Sequence, residues 1–147
     1  MSIFNAIDIS ASGLTAQRLR MDTISENIAN VNTTRTSAGG AYRRKLVVFE
    51  SREADDRFAG AFSQALEKQK TGQGVRVVDI AEDNTPFKMM YDPNHPDAND
   101  QGYVMLPNVN IVTEMVDMIS ATRAYEANTT AVKSSKDIAL KALEIGR

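Results

Sequence analysis

The stretch IFNAIDISASGLTAQRLRMDTISENIANV, residues 3–31, decides the fold because its apolar residues recur at the spacing of a helix that packs on other helices. One row has apolar residues seven positions apart, at Ile7, Leu14, Met21 and Ile28. A second row on the same face holds Ile3, Ile24 and Val31. Since apolar residues every 3.5 positions favour partner helices over a pocket, the sequence predicts a long α-helix built for assembly.

The C-terminal part of the chain repeats this pattern. Apolar or small residues again fall seven positions apart, at Ile111, Met118, Tyr125, Val132 and Ala139, and Met115 and Leu143 lie on the companion row. Either Asn108 or Asn110 can cap such a helix, whose first turn carries Glu114. We therefore predict a second long helix that ends near Ile145 and pairs with the first.

Polar residues interrupt the apolar rows of both predicted helices. Ser10 and Gln17 do so in the first helix, and Thr122 and Thr129 in the second. Polar residues at such positions weaken a simple dimer, but they fix the register against specific neighbours. The pattern therefore suits a wall of many similar neighbours better than one dry dimer.

The stretch between the helices reads as short strands and turns. Its β-branched and aromatic residues predict strands at residues 45–50, 75–80, 87–91 and 103–106, and a short helix is predicted near residues 54–70. The predicted fold class is α+β, with two long terminal α-helices pairing as a coiled-coil-like hairpin. Residues 1–34 and 108–147 would form a discontinuous helical core domain, and residues 35–107 a small β-rich middle segment.

Composition argues against several partners. The 147 residues carry a formal net charge of −2, so no excess of positive charge is present to hold nucleic acid or an anionic membrane. The basic run Arg43, Arg44 and Lys45 is interpreted as a solvated strand edge. Cysteine is absent, which removes disulfides and cysteine-type metal sites.

The N-terminal residues do not resemble a cleaved signal peptide. No Lys or Arg precedes Arg18, and no uninterrupted apolar run approaches the roughly 20 residues of a membrane-spanning helix. We expect that, if this chain leaves the cytoplasm, it does so by another export route.

Candidate chemical groups are few. The single His95 has no second His and no Cys with which to share a metal. The acidic loop 92–102 superficially resembles a calcium loop, but its sixth position lacks Gly and its twelfth is Tyr103 instead of Glu. No catalytic, metal-binding or cofactor-binding residue is predicted, and a small-molecule substrate is not expected.

Two segments resemble the bacterial flagellar axial proteins. Residues 12–33 are similar to the N-terminal signature shared by rod, hook and hook-associated subunits, and residues 108–128 are similar to the matching closing helix. Residues 41–49 and 102–108 look like the proximal rod protein C class of flagellar basal-body rod proteins. The family signature residues are Ser12, Gly13, Leu14, Asn27, Ile28, Ala29 and Asn30.

The resemblance implies a structural subunit that is not an enzyme. Such subunits are exported unfolded through the flagellar type III apparatus and assemble helically, with other rod subunits, into the hollow drive shaft that crosses the periplasm and transmits torque. Partners would be other rod subunits, further copies of the chain, and export-gate and basal-body components. Assembly contacts are expected at Ile3, Ile7, Leu14, Met21, Ile24, Ile28, Ile111, Met115, Met118, Tyr125, Val132 and Leu143.

Two alternatives remain from the residues themselves. A cytosolic adaptor could use the same helical hairpin to hold one or two partners, which explains the apolar rows but not the paired signatures. An enzyme is disfavoured because no acid, base or metal set converges.

Overall fold

Along the chain, one long helix precedes four short strands and a second long helix follows them. The computed structural model describes residues 3–37, 39–52 and 73–145. The elements are α1 (Ile3–Ala29), β1 (Lys45–Ser51), β2 (Val75–Glu82), β3 (Lys88–Tyr91), β4 (Tyr103–Leu106) and α2 (Ile111–Ile145). The predicted α+β class and the four predicted strands are confirmed. The helix predicted near residues 54–70 lies outside the described residues.

Helix α1 ends next to Asn30, whose side chain hydrogen-bonds the last turn of the helix. Asn30 donates from Nδ2 to the carbonyl of Glu26 at 2.9 Å, and its Oδ1 accepts from the Thr33 hydroxyl at 3.1 Å. Short polar side chains that bond the local backbone favour helix ends over helix interiors. The predicted end near Asn30 agrees with the observed last residue, Ala29.

Helix α2 begins at an asparagine cap. The side-chain oxygen of Asn110 accepts from the backbone N–H of Val112 at 3.0 Å, which satisfies one of the unpaired donors of the first turn. Of the two predicted caps, Asn110 is thus the one used. Asn108 instead accepts the backbone N–H of Arg44 at 2.8 Å and so connects the start of α2 to the strand region.

The two helices pair in antiparallel orientation, as predicted. Asn27 near the end of α1 bonds Glu114 near the start of α2, whereas Gly13 lies against Asn128, further along α2. Among the most buried apolar residues of the pair are the small side chains of Ala16 and Ala121. Small residues allow the two backbones to approach closely along their contact face.

The strands form two separate antiparallel ribbons. In the first, Lys45 of β1 pairs with Glu82 of β2 and Ser51 with Val75, with one irregularity between Val48 and Phe49. In the second, β3 pairs with β4. The β1–β2 ribbon lies against α1, where the Ser12 hydroxyl accepts the Val75 backbone N–H at 3.1 Å. Neither α1 nor α2, as described, is apolar over a long enough stretch to cross a lipid bilayer.

Candidate functional site

The predicted assembly residues divide into two groups by exposure. Those half-buried or buried in the folded chain are Ile7, Leu14, Met21, Ile24 and Ile28 on α1, and Met118, Tyr125 and Val132 on α2. Those exposed on α2 are Ile111, Met115 and Leu143, and Ile3 is the first residue of α1. The first group can stabilise the hairpin itself, whereas the exposed group can act only on another molecule. Their roles in assembly stay predictions.

Gly13 lies at a close approach of the two helices. A Cβ atom built on Gly13 would lie 3.0–3.1 Å from the side-chain atoms of Asn128. The Asn128 side chain is itself held by a 2.9 Å bond from its Nδ2 to the carbonyl of Ala124. This signature glycine is therefore explained by helix packing, because a side chain there would press on a fixed neighbour.

Replacing Gly13 with Val is expected to lower the free energy of unfolding by about 1–3 kcal/mol, because overpacking forces the helices apart. The matched control is Ala11→Val, which adds a branched side chain at an exposed position of the same helix. Urea unfolding followed by circular dichroism measures both. A loss at Gly13→Val no larger than at Ala11→Val would contradict the close approach to Asn128, because valine has a better helix propensity than glycine but a poorer one than alanine.

Asn27, a second signature residue, is the centre of a buried group of polar side chains. We call this group the polar cluster; its other members are Arg20, Tyr42, Arg44, Asp83, Glu114 and Asp117. Only 1% of its surface is exposed, and its side chain makes four hydrogen bonds. Its Nδ2 donates to the carbonyl of Lys45 at 2.9 Å and to Glu114 Oε2 at 3.0 Å. Its Oδ1 accepts from the Tyr42 hydroxyl at 3.0 Å and from the Lys45 backbone N–H at 2.9 Å. An amide side chain has no further hydrogen-bonding capacity, so this site is fully satisfied.

Glu114 and Arg44 carry the charge of the polar cluster. Glu114 is also 1% exposed, and its Oε1 accepts from Arg44 Nε at 2.6 Å. The same guanidinium lies 3.3 Å from Asp117 Oδ2 and 3.7 Å from Asp83 Oδ2. Arg20 of α1 reaches Asp117 from the other side at 3.1 Å. The polar cluster therefore joins α1, α2 and the entry to β1 through charged hydrogen bonds, which are stronger than neutral ones.

Asp83, the residue after β2, is held ionised beside Arg44. The Thr85 backbone N–H donates to Asp83 Oδ1 at 2.9 Å and is the largest cause that lowers the pKa of Asp83; the Thr85 side chain and Arg44 act in the same direction. Asn108 donates from Nδ2 to the Asp83 carbonyl at 3.0 Å. This second asparagine connects the start of α2 to the turn after β2.

The phenol of Tyr42 is held neutral inside the polar cluster. Burial, followed by the carboxylates of Glu26, Glu114 and Glu82, raises the pKa of Tyr42 from 10.0 to about 12. Its hydroxyl donates to Asn27, and only the neutral phenol can make that donation.

A pH-dependent loss of stability follows from this raised pKa. Above pH 10 the unfolded chain releases the phenol proton while the folded chain keeps it, so the contribution is complete below pH 10 and disappears as the pH rises towards 12. The free energy of unfolding falls by on the order of 2–3 kcal/mol between pH 10 and 12. Urea unfolding midpoints measured from pH 9 to 12 should fall more steeply for the wild type than for Tyr42→Phe. Parallel slopes would contradict the burial of an un-ionised phenol.

The interpretation of Arg43, Arg44 and Lys45 as a solvated strand edge is wrong for Arg44. Its guanidinium is engaged by Glu114, Asp117 and Asp83. Arg43 stacks 4.5 Å from the ring centre of Phe87. No local pattern predicts these ion pairs, because the acidic partners lie 39 to 73 positions away along the chain.

The polar cluster is an arrangement for holding elements together. Its guanidinium and carboxylates are paired with one another, and its amide is fully hydrogen-bonded. Within residues 3–37, 39–52 and 73–145, no group of three or more His, Asp or Glu side chains is placed to bind a metal ion. His95 uses its Nδ1 to accept the backbone N–H of Asp97 at 3.1 Å, which orders the turn around it.

Comparison with known proteins finds matches at both ends and over the full length. Residues 7–35 match the family model described as "Flagella basal body rod protein", and residues 100–145 match "Flagellar basal body rod FlgEFG protein C-terminal". These ranges contain most of α1 and the whole of α2.

Curated relatives extend the similarity to the middle segment. The chain is 52% identical to the flagellar basal-body rod protein FlgC of Borreliella burgdorferi, over 99% of this chain and 98% of the relative. It is 46% identical to the protein of the same name from Bacillus subtilis over the whole of both chains, and 44% identical to that of Aquifex aeolicus over 94% of this chain and 92% of the relative.

Proposed function

This chain belongs to the family of the flagellar basal-body rod protein FlgC, and we propose that it is a structural subunit of the proximal part of the flagellar rod. The observation that carries this is the full-length identity of 46–52% to two relatives with that name. Because the relatives are structural rod proteins, the proposal assigns the chain no catalytic role. It would work by packing against its neighbours.

The paired helices supply the wall of the assembly in this proposal. The half-buried rows of α1 and α2 hold each hairpin together, and the exposed residues Ile111, Met115 and Leu143 contact neighbouring subunits. Stacking such hairpins helically, with further copies and with other rod subunits, produces a hollow shaft. Export-gate and basal-body components would lie at its base.

The polar cluster gives this shaft resistance to twisting. Torque along a rod must pass from one subunit to the next without the helices sliding within a subunit. Asn27 and Glu114 oppose such sliding because each displacement would leave buried polar groups unpaired, at a cost of about 1–3 kcal/mol per group. The bonds of Asn27 to Lys45 extend the same constraint to the middle segment.

Export without a cleaved signal peptide is part of the proposal. A chain that folds only when distant segments meet can remain unfolded during passage through a narrow channel. The polar cluster needs residues from α1, β1 and α2 together, so it cannot form locally. The adaptor alternative accounts for the hairpin, but it does not account for the full-length similarity.

A strain that lacks this chain tests the proposal. We expect the deletion strain to be non-motile and its isolated basal bodies to lack a complete rod, with both properties restored by the intact gene. Complete rods and normal swimming in the deletion strain would contradict the proposed function.

A further inference from the structure

The β3–β4 ribbon stands apart from the other described elements. No Cα atom of β3 or β4 lies within 8 Å of α1, α2, β1 or β2, apart from near neighbours in sequence. An isolated two-stranded ribbon is marginally stable in water and needs a helix or further strands against it. Among the described elements, neither long helix and no further strand lies against it, although the loop after α1 contacts its closing turn, where the Thr34 hydroxyl donates to Asp97 at 2.8 Å.

One face of this ribbon is apolar and open. The cross-strand pairs are Met89 with Met105 and Tyr91 with Tyr103, so alternation places all four side chains on the same face. Their exposed fractions run from 40 to 70%, and the two tyrosine rings meet edge to face at 5.3 Å. We call these four residues the ribbon face. On the opposite face Val104 is buried, and on the ribbon face Tyr103 and Met105 border a groove shared with Thr34 and Ala41.

Helix α2 carries a matching exposed stripe. Val112, Met115, Val116 and Ile119 are 55–70% exposed and follow the spacing of one helical face. We call these four residues the α2 stripe. None of them is charged. The stripe is about 10 Å long, and a four-residue strand has nearly the same length, so the two surfaces match in extent.

We propose that the α2 stripe of one copy docks on the ribbon face of a second copy of this chain. This inference rests on the proposed function, since it names the partner in that assembly. The ribbon and α2 of the same chain are joined by four residues, 107–110, yet do not pack on each other, so the contact falls between molecules. Two different surfaces that meet head to tail continue from copy to copy, as a helical assembly requires.

Charge fixes the direction of this contact. The turn that closes the ribbon beside Tyr91 and Tyr103 contains Asp92, Asp97 and Asp100, of which Asp97 lies 4.0 Å from Arg35. Arg123 lies one helical turn beyond Ile119 and is 78% exposed, with Glu126 as its neighbour at 2.9 Å. Docking with Ile119 towards the tyrosines brings Arg123 to this acidic turn.

The absence of cysteine allows a direct crosslinking test. Met105→Cys and Val116→Cys are made separately, both at exposed positions, and the two variants are co-expressed in the deletion strain. Basal bodies are isolated and treated with a short bis-maleimide. We expect a crosslinked dimer that contains one chain of each variant, and no dimer when either variant is expressed alone. The control pairs Met105→Cys with Asp8→Cys, on the exposed side of α1.

The outcomes separate this inference from the proposed function. Dimers from one variant alone, a crosslink from Met105→Cys to a different basal-body protein, or no crosslink in basal bodies that contain both variants would overturn the contact while leaving the rod assignment intact. Absence of the chain from basal bodies would overturn both.

Charge reversal tests the direction of docking. Arg123→Glu added to the Val116→Cys chain is expected to reduce the dimer yield several-fold, and Asp100→Arg added to the Met105→Cys chain is expected to restore it. Unchanged yields would overturn the proposed orientation.

Discussion

A strain whose only copy carries Leu14→Asp is expected to be non-motile and to assemble no rods, although the protein is expressed normally. Leu14 is half-buried on α1 and lies in the same row as Met21, whose sulfur accepts from the Thr122 hydroxyl of α2 at 3.6 Å. Even at partial burial, removal of the leucine forfeits about 1–2 kcal/mol, and the carboxylate adds a desolvation cost in the same place. Every subunit of a helical assembly carries the defect, so its effect is repeated along the rod.

The matched control for Leu14→Asp is Thr15→Asp, which places the same charge at the adjacent, exposed position of α1. Swimming in soft agar and electron microscopy of basal bodies measure both strains. The control should swim. Normal swimming by the Leu14→Asp strain would remove Leu14 from the set of assembly residues.

Loss of the Glu114 carboxylate is expected to be the most destabilising single truncation in the polar cluster. Glu114→Ala leaves the Arg44 guanidinium without its closest partner and removes an acceptor from Asn27. Removing one partner of a fully buried ion pair typically costs about 3–5 kcal/mol. Because Asp117 and Asp83 still face Arg44, the expected loss lies at the lower end of that range. The expected observation is a large fall in the urea midpoint of unfolding.

Glu126→Ala on the same helix is the control for Glu114→Ala. Its carboxylate pairs with Arg123 at an exposed site, where such pairs contribute about 0–1 kcal/mol. A loss at Glu114 no larger than at Glu126 would contradict the account of the polar cluster. Glu114→Gln should lie between the two, since an amide keeps a hydrogen-bond acceptor but not the charge.

The long helices were predictable because their signal is local and repeated. Leu14 and Met21 on α1 are seven positions apart and so lie on the same face of the helix. Because several apolar residues repeat at this spacing, one polar residue such as Gln17 does not obscure the pattern. The four strands were predictable for a similar reason, since Val, Phe and Tyr cluster between turn residues. In each case the pattern is complete within about ten positions of the chain.

The polar cluster was not predictable because its partners are distant in sequence. Glu114 suggested no more than an acid in the first turn of a helix, and Arg44 suggested a solvated edge. The structure brings them within 2.6 Å across 70 positions. Asn27 was recognised as a signature residue from the sequence. Its four side-chain hydrogen bonds were not predictable, because they depend on Tyr42 and Lys45 as well as on Glu114. Hydropathy carries no information on which buried polar groups meet.

Labelled electron microscopy tests the central claim, that this chain is a structural subunit of the flagellar rod, most directly. Basal bodies isolated from a swimming strain are incubated with gold-conjugated antibody against the chain, with basal bodies from the deletion strain as the control. The account predicts gold on the rod and none in the control. Rods that carry no label while the chain remains in the cytoplasmic fraction would contradict it.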